Sequence, residues 1–286
     1  MKKIIIDIWV LCITLLAIPI APVQAQNSEV GACVGTMFYI GELNQEKPFA
    51  FDKFKMAGGI VYRYNISPRW AIKANFLFGE VSASDAKTND GYERNLSFFS
   101  PITEFSVVGE LNFLQLYSST GKNHFAPYIF AGFTLFSFDP MATLNDTVYH
   151  LQSLGTEGQG LVDSLKRYKL TDFAFPFGIG FRFNIGKHVC IGAEWGMRYT
   201  HTDYLDDVSG RYFDNEELKD RRGAIIARLA DRTPELGPGY QLHKANEQRG
   251  NKMTKDFYSF VGVNLTVRFG NADRTCDLKN KRKKHK

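Results

Sequence analysis

Hydrophobic and polar residues alternate strictly along several stretches of the chain. In the clearest stretch, from Phe173 to Phe183, every odd position carries a large apolar side chain and every even position a small or polar residue. Because successive side chains of a strand point to opposite faces, this stretch predicts a strand with one apolar face. Seven further segments show a similar alternation. The eight predicted strands span residues 30–40, 55–65, 70–80, 102–113, 125–138, 173–184, 188–201 and 256–269.

Each predicted strand has about the ten residues that a tilted strand needs to cross a membrane. Beyond residue 25 the chain has no apolar run long enough for a membrane helix. The pattern therefore predicts an all-β fold: an eight-stranded, antiparallel, up-and-down transmembrane β-barrel with its apolar face toward lipid. Strand eight is expected to close the barrel against strand one.

The connections between strands alternate between short and long. Short turns are expected near residues 67–69, 118–123 and 186–187, and long loops at 41–54, 81–101, 139–172 and 202–255. An even number of strands brings both termini to one end, so we expect termini and short turns in the periplasm and the long loops outside. A helix is predicted over 215–230 in the long fourth extracellular loop, although Gly223 is unfavourable inside a helix.

The two ends of the chain predict export and a basic tail. Residues 1–25 have the basic start, apolar middle and small-residue cleavage site of a signal peptide, so the barrel is expected over 26–270. Residues 271–286 hold seven Lys or Arg against two Asp, which leaves the rest of the mature chain close to neutral. This periplasmic tail is interpreted as either a solvated segment or a docking site. Nucleic acid is not an expected partner of an exported protein.

Charged side chains recur on the predicted inward face of the strands. They are Arg63, Lys73, Glu104, Glu110, Arg182, Glu194, Arg198 and Arg268. Eight strands leave an interior just wide enough for side chains to fill, so we interpret these residues as a salt-bridge network that plugs the lumen. A proton or ion path is the alternative.

The cysteines are odd in number once the signal peptide is removed: Cys33, Cys190 and Cys276. All three are expected near the periplasmic end. Cys33 and Cys190 alternate inward on strands that strand eight separates, which puts their Cα atoms about 9 Å apart, too far for a disulfide. Three hypotheses stay open: a buried free thiol at Cys190, an intermolecular disulfide through Cys276 or secondarily Cys33, and an internal Cys33–Cys276 bond.

A search for reactive chemistry finds little. Only His201, near Asp203, Asp206 and Asp207, resembles an acid–base cluster, and no nucleophile with a positioned base accompanies it. The two adjacent aspartates are a weak signal for calcium. The sequence therefore predicts a protein that is not an enzyme, with no cofactor, metal or small-molecule substrate.

Three short motifs carry a family resemblance. They are Tyr39-Ile40-Gly41-Glu42-Leu43-Asn44, Asp203-Tyr204-Leu205-Asp206-Asp207-Val208-Ser209 and Gln248-Arg249-Gly250-Asn251. With them the mature chain resembles the PorG-like family, a DUF6089-type barrel of the Gram-negative outer membrane. The resemblance implies a non-enzymatic component of the type IX secretion system that ties periplasmic rings, built from PorK and PorN, to the outer membrane. The alternative is a small outer-membrane barrel enzyme or adhesin that acts through its extracellular loops.

Overall fold

The computed structural model describes residues 28–44, 54–85, 93–116, 124–162, 165–186 and 188–269. The predicted signal peptide and the basic tail lie outside these residues. Ten strands are present in the described chain. They are β1 (Ser28–Ile40), β2 (Lys55–Asn65), β3 (Trp70–Ser84), β4 (Ser97–Asn112), β5 (Phe125–Phe138), β6 (Met141–Leu144), β7 (Thr147–His150), β8 (Thr171–Ile185), β9 (Val189–Thr200) and β10 (Phe257–Phe269).

Eight of these strands close into an antiparallel barrel. Their order around the wall is β1-β2-β3-β4-β5-β8-β9-β10. The ring closes where β10 pairs with β1, from Ser28 opposite Phe269 to Ile40 opposite Phe257. The predicted eight-stranded barrel, and its closure between the first and last strands, is therefore confirmed.

The outer face of the barrel is an apolar belt. Along β8 the outward side chains from Phe173 to Ile185 are between 41% and 52% exposed, whereas the inward Ala174 and Arg182 are fully buried. The barrel strands are 11 to 16 residues long, sufficient to cross a bilayer at a tilt. A closed barrel with such a belt is a transmembrane barrel, because a continuous apolar surface of this size is unfavourable in water. Among the described residues, no helix is long and apolar enough to span a membrane.

The two ends of the barrel differ. At one, called the turn end, lie residues 66–69, 113–116, 124, 186 and 188 and the first and last described residues. At the other, called the loop end, lie the described residues of the long loops, at 41–44, 54, 85, 93–96, 139–162, 165–170 and 201–256. The second long loop is shorter than predicted, since β3 and β4 extend beyond the expected limits. Val81 and Phe98, in these extensions, are buried in the apolar core under the loops.

The third long loop contains a β-hairpin that the sequence analysis did not predict. Strands β6 and β7 pair through a turn at Asn145 and Asp146, both with positive φ, and β6 meets β4 where Met141 lies opposite Phe99. Asn and Asp tolerate this left-handed conformation better than most residues. A short helix, α1 (Leu151–Leu154), follows.

The fourth long loop carries two helices where one was predicted over 215–230. They are α2 (Asn215–Arg222) and α3 (Ala224–Ala230). Gly223, at φ +98°, interrupts the run, a conformation that glycine adopts without a side-chain clash. The start of α2 agrees with the sequence, because the side chain of Asp214 accepts a hydrogen bond from the Glu217 N–H at 2.9 Å.

Membrane orientation can be tested by cysteine labelling of intact cells. Met253, 89% exposed at the loop end, and Ile66, 55% exposed at the turn end, are replaced singly by Cys in a Cys276→Ser background. Cys33 and Cys190 are buried and should stay unlabelled. A membrane-impermeant maleimide is expected to label Met253→Cys only. Labelling of Ile66→Cys alone would reverse the orientation.

Candidate functional site: the filled lumen and the cap

Inward polar side chains meet in the half of the lumen nearest the turn end. Every one of the eight barrel strands supplies a member, and each is buried. The members, in chain order, are Glu29, Arg63, Lys73, Glu110, Tyr128, Arg182, Glu194 and Thr266. We call this set the lumen network.

Two guanidinium groups bind the carboxylates of the lumen network. Arg63 donates through Nε and Nη2 to Glu110 at 2.8 and 3.2 Å, and through Nη1 to Glu29 at 3.0 Å. Arg182 Nη2 donates to both oxygens of Glu29, at 2.7 and 2.9 Å. Thr266 adds a hydroxyl bond to Glu29 at 3.1 Å. Such charge-assisted bonds are stronger than neutral ones and fix the planar groups in orientation.

Lys73 joins the other half of the lumen network. Its Nζ lies 2.6 Å from Glu194 Oε2, 3.2 Å from Glu110 Oε1 and 4.7 Å from the ring centre of Phe130. The Tyr128 hydroxyl donates to Glu194 at 2.9 Å. Three cations therefore face three carboxylates, which removes the charge imbalance that would make burial prohibitive.

A second, smaller ion pair lies nearer the loop end. Arg198 donates to Glu104 through Nη2 at 2.9 Å and Nε at 3.2 Å, and through Nη1 to the Gly196 carbonyl at 2.8 Å. Tyr258 donates its hydroxyl to Glu104 at 2.7 Å, and its ring lies beneath the guanidinium. Aromatic and charged side chains together occupy this level of the lumen.

The structure thus brings seven of the eight predicted lumen residues into these two groups. Arg268 is half-buried near the turn end, where its N–H donates to the His188 carbonyl at 2.7 Å. Glu29 is a member that was not predicted, because strand one was expected to begin at residue 30. Extending the inward alternation of Cys33 back by four residues would have found it.

Above the lumen, the described residues of the four long loops pack together into a cap over the loop end. Its apolar centre is continuous with that of the barrel. Buried members include Leu43 from the first loop, Leu96 from the second, Leu151 from the third, and Leu205 and Leu229 from the fourth. The cap is therefore a folded part of the protein rather than a set of separate loops.

A tyrosine at the end of β1 holds the fourth loop to the barrel. The Tyr39 hydroxyl lies 2.7 Å from both Asp206 Oδ2 and Asp256 Oδ1, and accepts from the Glu42 N–H at 3.1 Å. The same two carboxyls accept backbone hydrogens, Asp256 from Leu205 and Asp206 from Val208. One hydroxyl hydrogen serves only one of the two carboxylates, so this geometry calls for a further proton on the pair.

An arginine inside the cap joins the third and fourth loops. Arg249 Nη1 donates to Glu157 Oε1 at 3.0 Å, and its Nε donates to the Ala230 carbonyl at 3.2 Å. Glu157 also accepts from the backbone N–H groups of Ser209 and Gly210, each at 3.0 Å. This carboxylate satisfies backbone donors that a buried loop would otherwise leave unpaired.

Arg94 joins the second loop to the first and fourth loops. It forms a two-pronged bond to Asp85 at 2.8 and 2.9 Å and donates to the carbonyls of Arg249 and Glu42. Next to Arg249, a Cβ on Gly250 would lie 2.7 Å from Glu42 Oε2. The same Cβ would lie 2.8 Å from backbone atoms of Ser209, which cannot move aside as a side chain can, so glycine is required at this position.

The three motifs that carry the family resemblance therefore meet in space. Tyr39 of the first binds Asp206 of the second, and Glu42 accepts from the N–H of Asn251 in the third. Arg249 of the third donates to the Asp207 carbonyl of the second. They form the junction between the barrel and its cap.

Burial controls the protonation of this junction. It raises the pKa values of both Asp206 and Asp256, and the negative charge of Asp256 adds to the rise at Asp206. Burial also raises the pKa of Glu42 to about 7, that of Asp203 to about 6 and that of Asp207 to about 6. Protons are therefore retained under the cap at pH values where exposed carboxyls are ionised.

The structure separates His201 from Asp206 and Asp207, whereas Asp203 lines the same cleft as His201. Its ring is exposed, stacks on Phe173 with centroids 4.9 Å apart, and lies 3.8 Å from Asp172. Asp206 and Asp207 are buried in the cap and have different partners. The predicted cluster of His201 with Asp203, Asp206 and Asp207 is therefore not assembled as a whole, because only Asp203 lies beside the histidine. Within the described residues, no group of three or more metal-ligating side chains comes together.

The cysteines are placed partly as expected. Cys33 and Cys190 are free and buried, and β10 lies between their strands, so the prediction that they do not pair is confirmed. Cys33 is not near the turn end, however. It is the sixth residue of β1, since that strand begins at Ser28. Its burial removes it as a candidate for bonding to another protein, and Cys276 lies outside the described residues.

The fold and the site define a small transmembrane β-barrel whose lumen is occupied by its own side chains and whose loop end is capped. The family described as Domain of unknown function (DUF6089) matches residues 7–226, and the chain belongs to this family. A search of curated proteins finds no match.

Solved barrels show a distant similarity. Neisserial surface protein A (NspA) has a TM-score of 0.40 and 9% identity, with 85% of this chain and 97% of that chain covered. The N-terminal β-barrel domain of Pseudomonas aeruginosa OprF has a TM-score of 0.34 and 10% identity, covering 84% and 98%. Ail, the attachment invasion locus protein of Yersinia pestis, in complex with a heparin analogue, has a TM-score of 0.34 and 11% identity, covering 84% and 96%.

The lumen network should dominate the stability of the barrel. Arg63→Met removes three bonds and leaves two buried carboxylates undercompensated, so the free energy of unfolding should fall by about 3–5 kcal/mol. The matched control is Lys55→Met, which breaks the exposed Lys55–Glu80 pair at 3.0 Å and should cost less than about 1 kcal/mol. Urea titration in detergent, followed by heat-modifiable gel migration, measures both. Equal effects would contradict a structural role for the network.

Cap stability should depend on pH. A folded state that binds more protons than the unfolded chain loses stability as pH rises. The buried carboxyls contribute most to cap stability below about pH 4, where free carboxyls are protonated as well. This contribution falls as pH rises through the raised pKa values, near 6 for Asp203 and near 7 for Glu42. Hydrogen-exchange protection in residues 201–256 should therefore be higher at pH 5 than at pH 8.

The variant Asp256→Asn tests whether ionisation of buried carboxyls causes this pH dependence. The amide can accept from the Leu205 N–H and donate to Tyr39 without ionising. Asp256→Asn should raise hydrogen-exchange protection of residues 201–256 at pH 8 and reduce the difference in protection between pH 5 and pH 8. The control Asp146→Asn, at an exposed turn, should leave that difference unchanged. A contribution of the Asp206–Asp256 pair is contradicted if protection at pH 8 is no higher in Asp256→Asn than in wild type.

Proposed function

We propose that this protein is a non-enzymatic outer-membrane anchor of a type IX secretion system, linking a periplasmic ring assembly to the membrane. The observation that carries the proposal is the lumen network, because a member from each barrel strand occupies the space that a pore would need. An anchor requires a stable wall and no conduit, and the buried ion pairs provide such a wall.

Family membership supports the same proposal. The three motifs of the resemblance to PorG-like proteins form the junction of barrel and cap, which ties them to the architecture of the chain. The expected partners are periplasmic ring proteins resembling PorK and PorN, together with outer-membrane lipid. The expected contact face is the turn end, with the basic tail and Cys276 in the periplasm.

The partner prediction is tested by affinity purification from outer membranes. Wild type is expected to retain ring proteins, part of them through a reductant-sensitive band that Cys276→Ser abolishes. Basic residues near Cys276 in the sequence, such as Arg274 and Lys279, favour the thiolate that forms mixed disulfides. Cys190→Ser is the matched control and should leave this band intact, because Cys190 is buried in the wall.

Two results would count against the anchor. Failure of wild type to retain any periplasmic assembly, relative to an unrelated barrel prepared in parallel, would contradict the linking role. Large, stable conductance of the purified protein in a planar bilayer would contradict the filled lumen. Loss of the reductant-sensitive band alone would remove only the covalent link.

A further inference from the structure

A cleft of about 650 Å³ opens at the side of the cap, where β8, β9 and β10 reach the loop end. Three lysines border it. Lys169 lies two residues before β8, Lys255 lies two residues before β10, and Lys252 lies in the same approach to β10. Because neighbouring strands are about 4.8 Å apart, these side chains lie along one short arc of the barrel rim.

None of the three ammonium groups forms an ion pair within 4 Å in the described part of the chain, but the charges of Lys252 and Lys255 partly offset the rise in pKa that burial gives Asp203. Two carboxylates also line the cleft. Asp172 accepts from the Phe173 N–H at 2.8 Å, and Asp203 is only 5% exposed. The three lysines outnumber these two carboxylates, so the net charge of the cleft is positive.

The lower edge of the cleft coincides with the apolar belt. Phe173 lines the cleft and is also the first member of the outward apolar row of β8, which continues with Phe175. On the adjoining strands, Tyr199 and Phe257 contact each other with ring centroids 5.0 Å apart. Unpaired lysines directly above an aromatic row occupy the level at which lipid headgroups lie.

We propose that this cleft binds the phosphate-bearing headgroup of a membrane lipid. Lys169, Lys252 and Lys255 would contact the phosphate oxygens, and an acyl chain would lie along Phe173 and Phe175. A lipid is favoured over free phosphate because it alone uses both the cationic arc and the apolar row below it. The site is independent of the proposed role in secretion.

The test measures binding of lipid A, its dephosphorylated form and inorganic phosphate to the whole protein in an uncharged detergent. Wild type should bind phosphorylated lipid A and bind the dephosphorylated form much more weakly. The variant Lys169→Ala/Lys252→Ala/Lys255→Ala should bind about 100-fold more weakly, at about fivefold for each lysine near a membrane surface.

A charge-matched control removes three other exposed cations of the cap. Lys219→Ala/Arg221→Ala/Lys244→Ala breaks only exposed helix pairs and should change affinity less than about twofold. Heat-modifiable migration verifies folding of both triple variants. Should the lysine triple fail to fold, Lys252→Ala alone is expected to lose about fivefold.

Three outcomes would overturn the proposal. The first is equal binding of phosphorylated and dephosphorylated lipid A. The second is an equal loss in the lysine variant and the charge-matched control, which would assign the effect to net charge. The third is competition by inorganic phosphate at the concentration of the lipid, which would assign the cleft to free phosphate.

Discussion

Compensation of buried charge is the constraint on which the rest of the structure depends. Glu29 is fully buried at the start of β1 and is held by Arg63 from β2 and Arg182 from β8. Removing any partner leaves a charge in the lumen, which costs far more than an exposed pair contributes. Because the partners come from different strands, the network forms only when the ring is closed. A one-residue slip would turn these groups toward lipid, so the charges also fix strand register.

In the cap, too, buried polar groups must be compensated, and here they are backbone N–H groups. A buried loop has backbone N–H groups that no sheet satisfies, and carboxylates satisfy them here. Glu157 accepts from two consecutive backbone groups, and Asp256 accepts from Leu205 while it contacts Tyr39. Asp206 and Asp207, which stand near His201 in the sequence, likewise accept hydrogen bonds in the cap, from the Val208 N–H and the Tyr168 hydroxyl. Arg94 and Arg249 are the cations that keep this acidic interior from repelling itself.

The strands of the barrel could be predicted from the sequence and the structure of the cap could not, and the difference has a physical reason. Period-two alternation is local, so all eight barrel strands and most lumen charges could be predicted from it. The hairpin formed by β6 and β7 is short, and its burial depends on contact with β4. The local sequence pattern does not report such a contact. The same applies to the separation of His201 from Asp206. Cys33 was misplaced because a strand end was predicted two residues late, and strand ends are set by contacts with neighbouring loops.

A filled barrel with a fixed cap limits what the protein can do mechanically. A pore must keep a water-filled path, and a gated pore must also exchange one set of buried pairs for another at low cost. Among the described residues of the lumen, the only charged pair at another level is Arg198–Glu104, whose members already bind each other, so it offers no exchange partner to the Arg63–Glu110 and Lys73–Glu194 pairs. Opening the lumen would therefore expose uncompensated charges without replacement. The filled lumen is therefore better suited to a closed wall than to a gated pore.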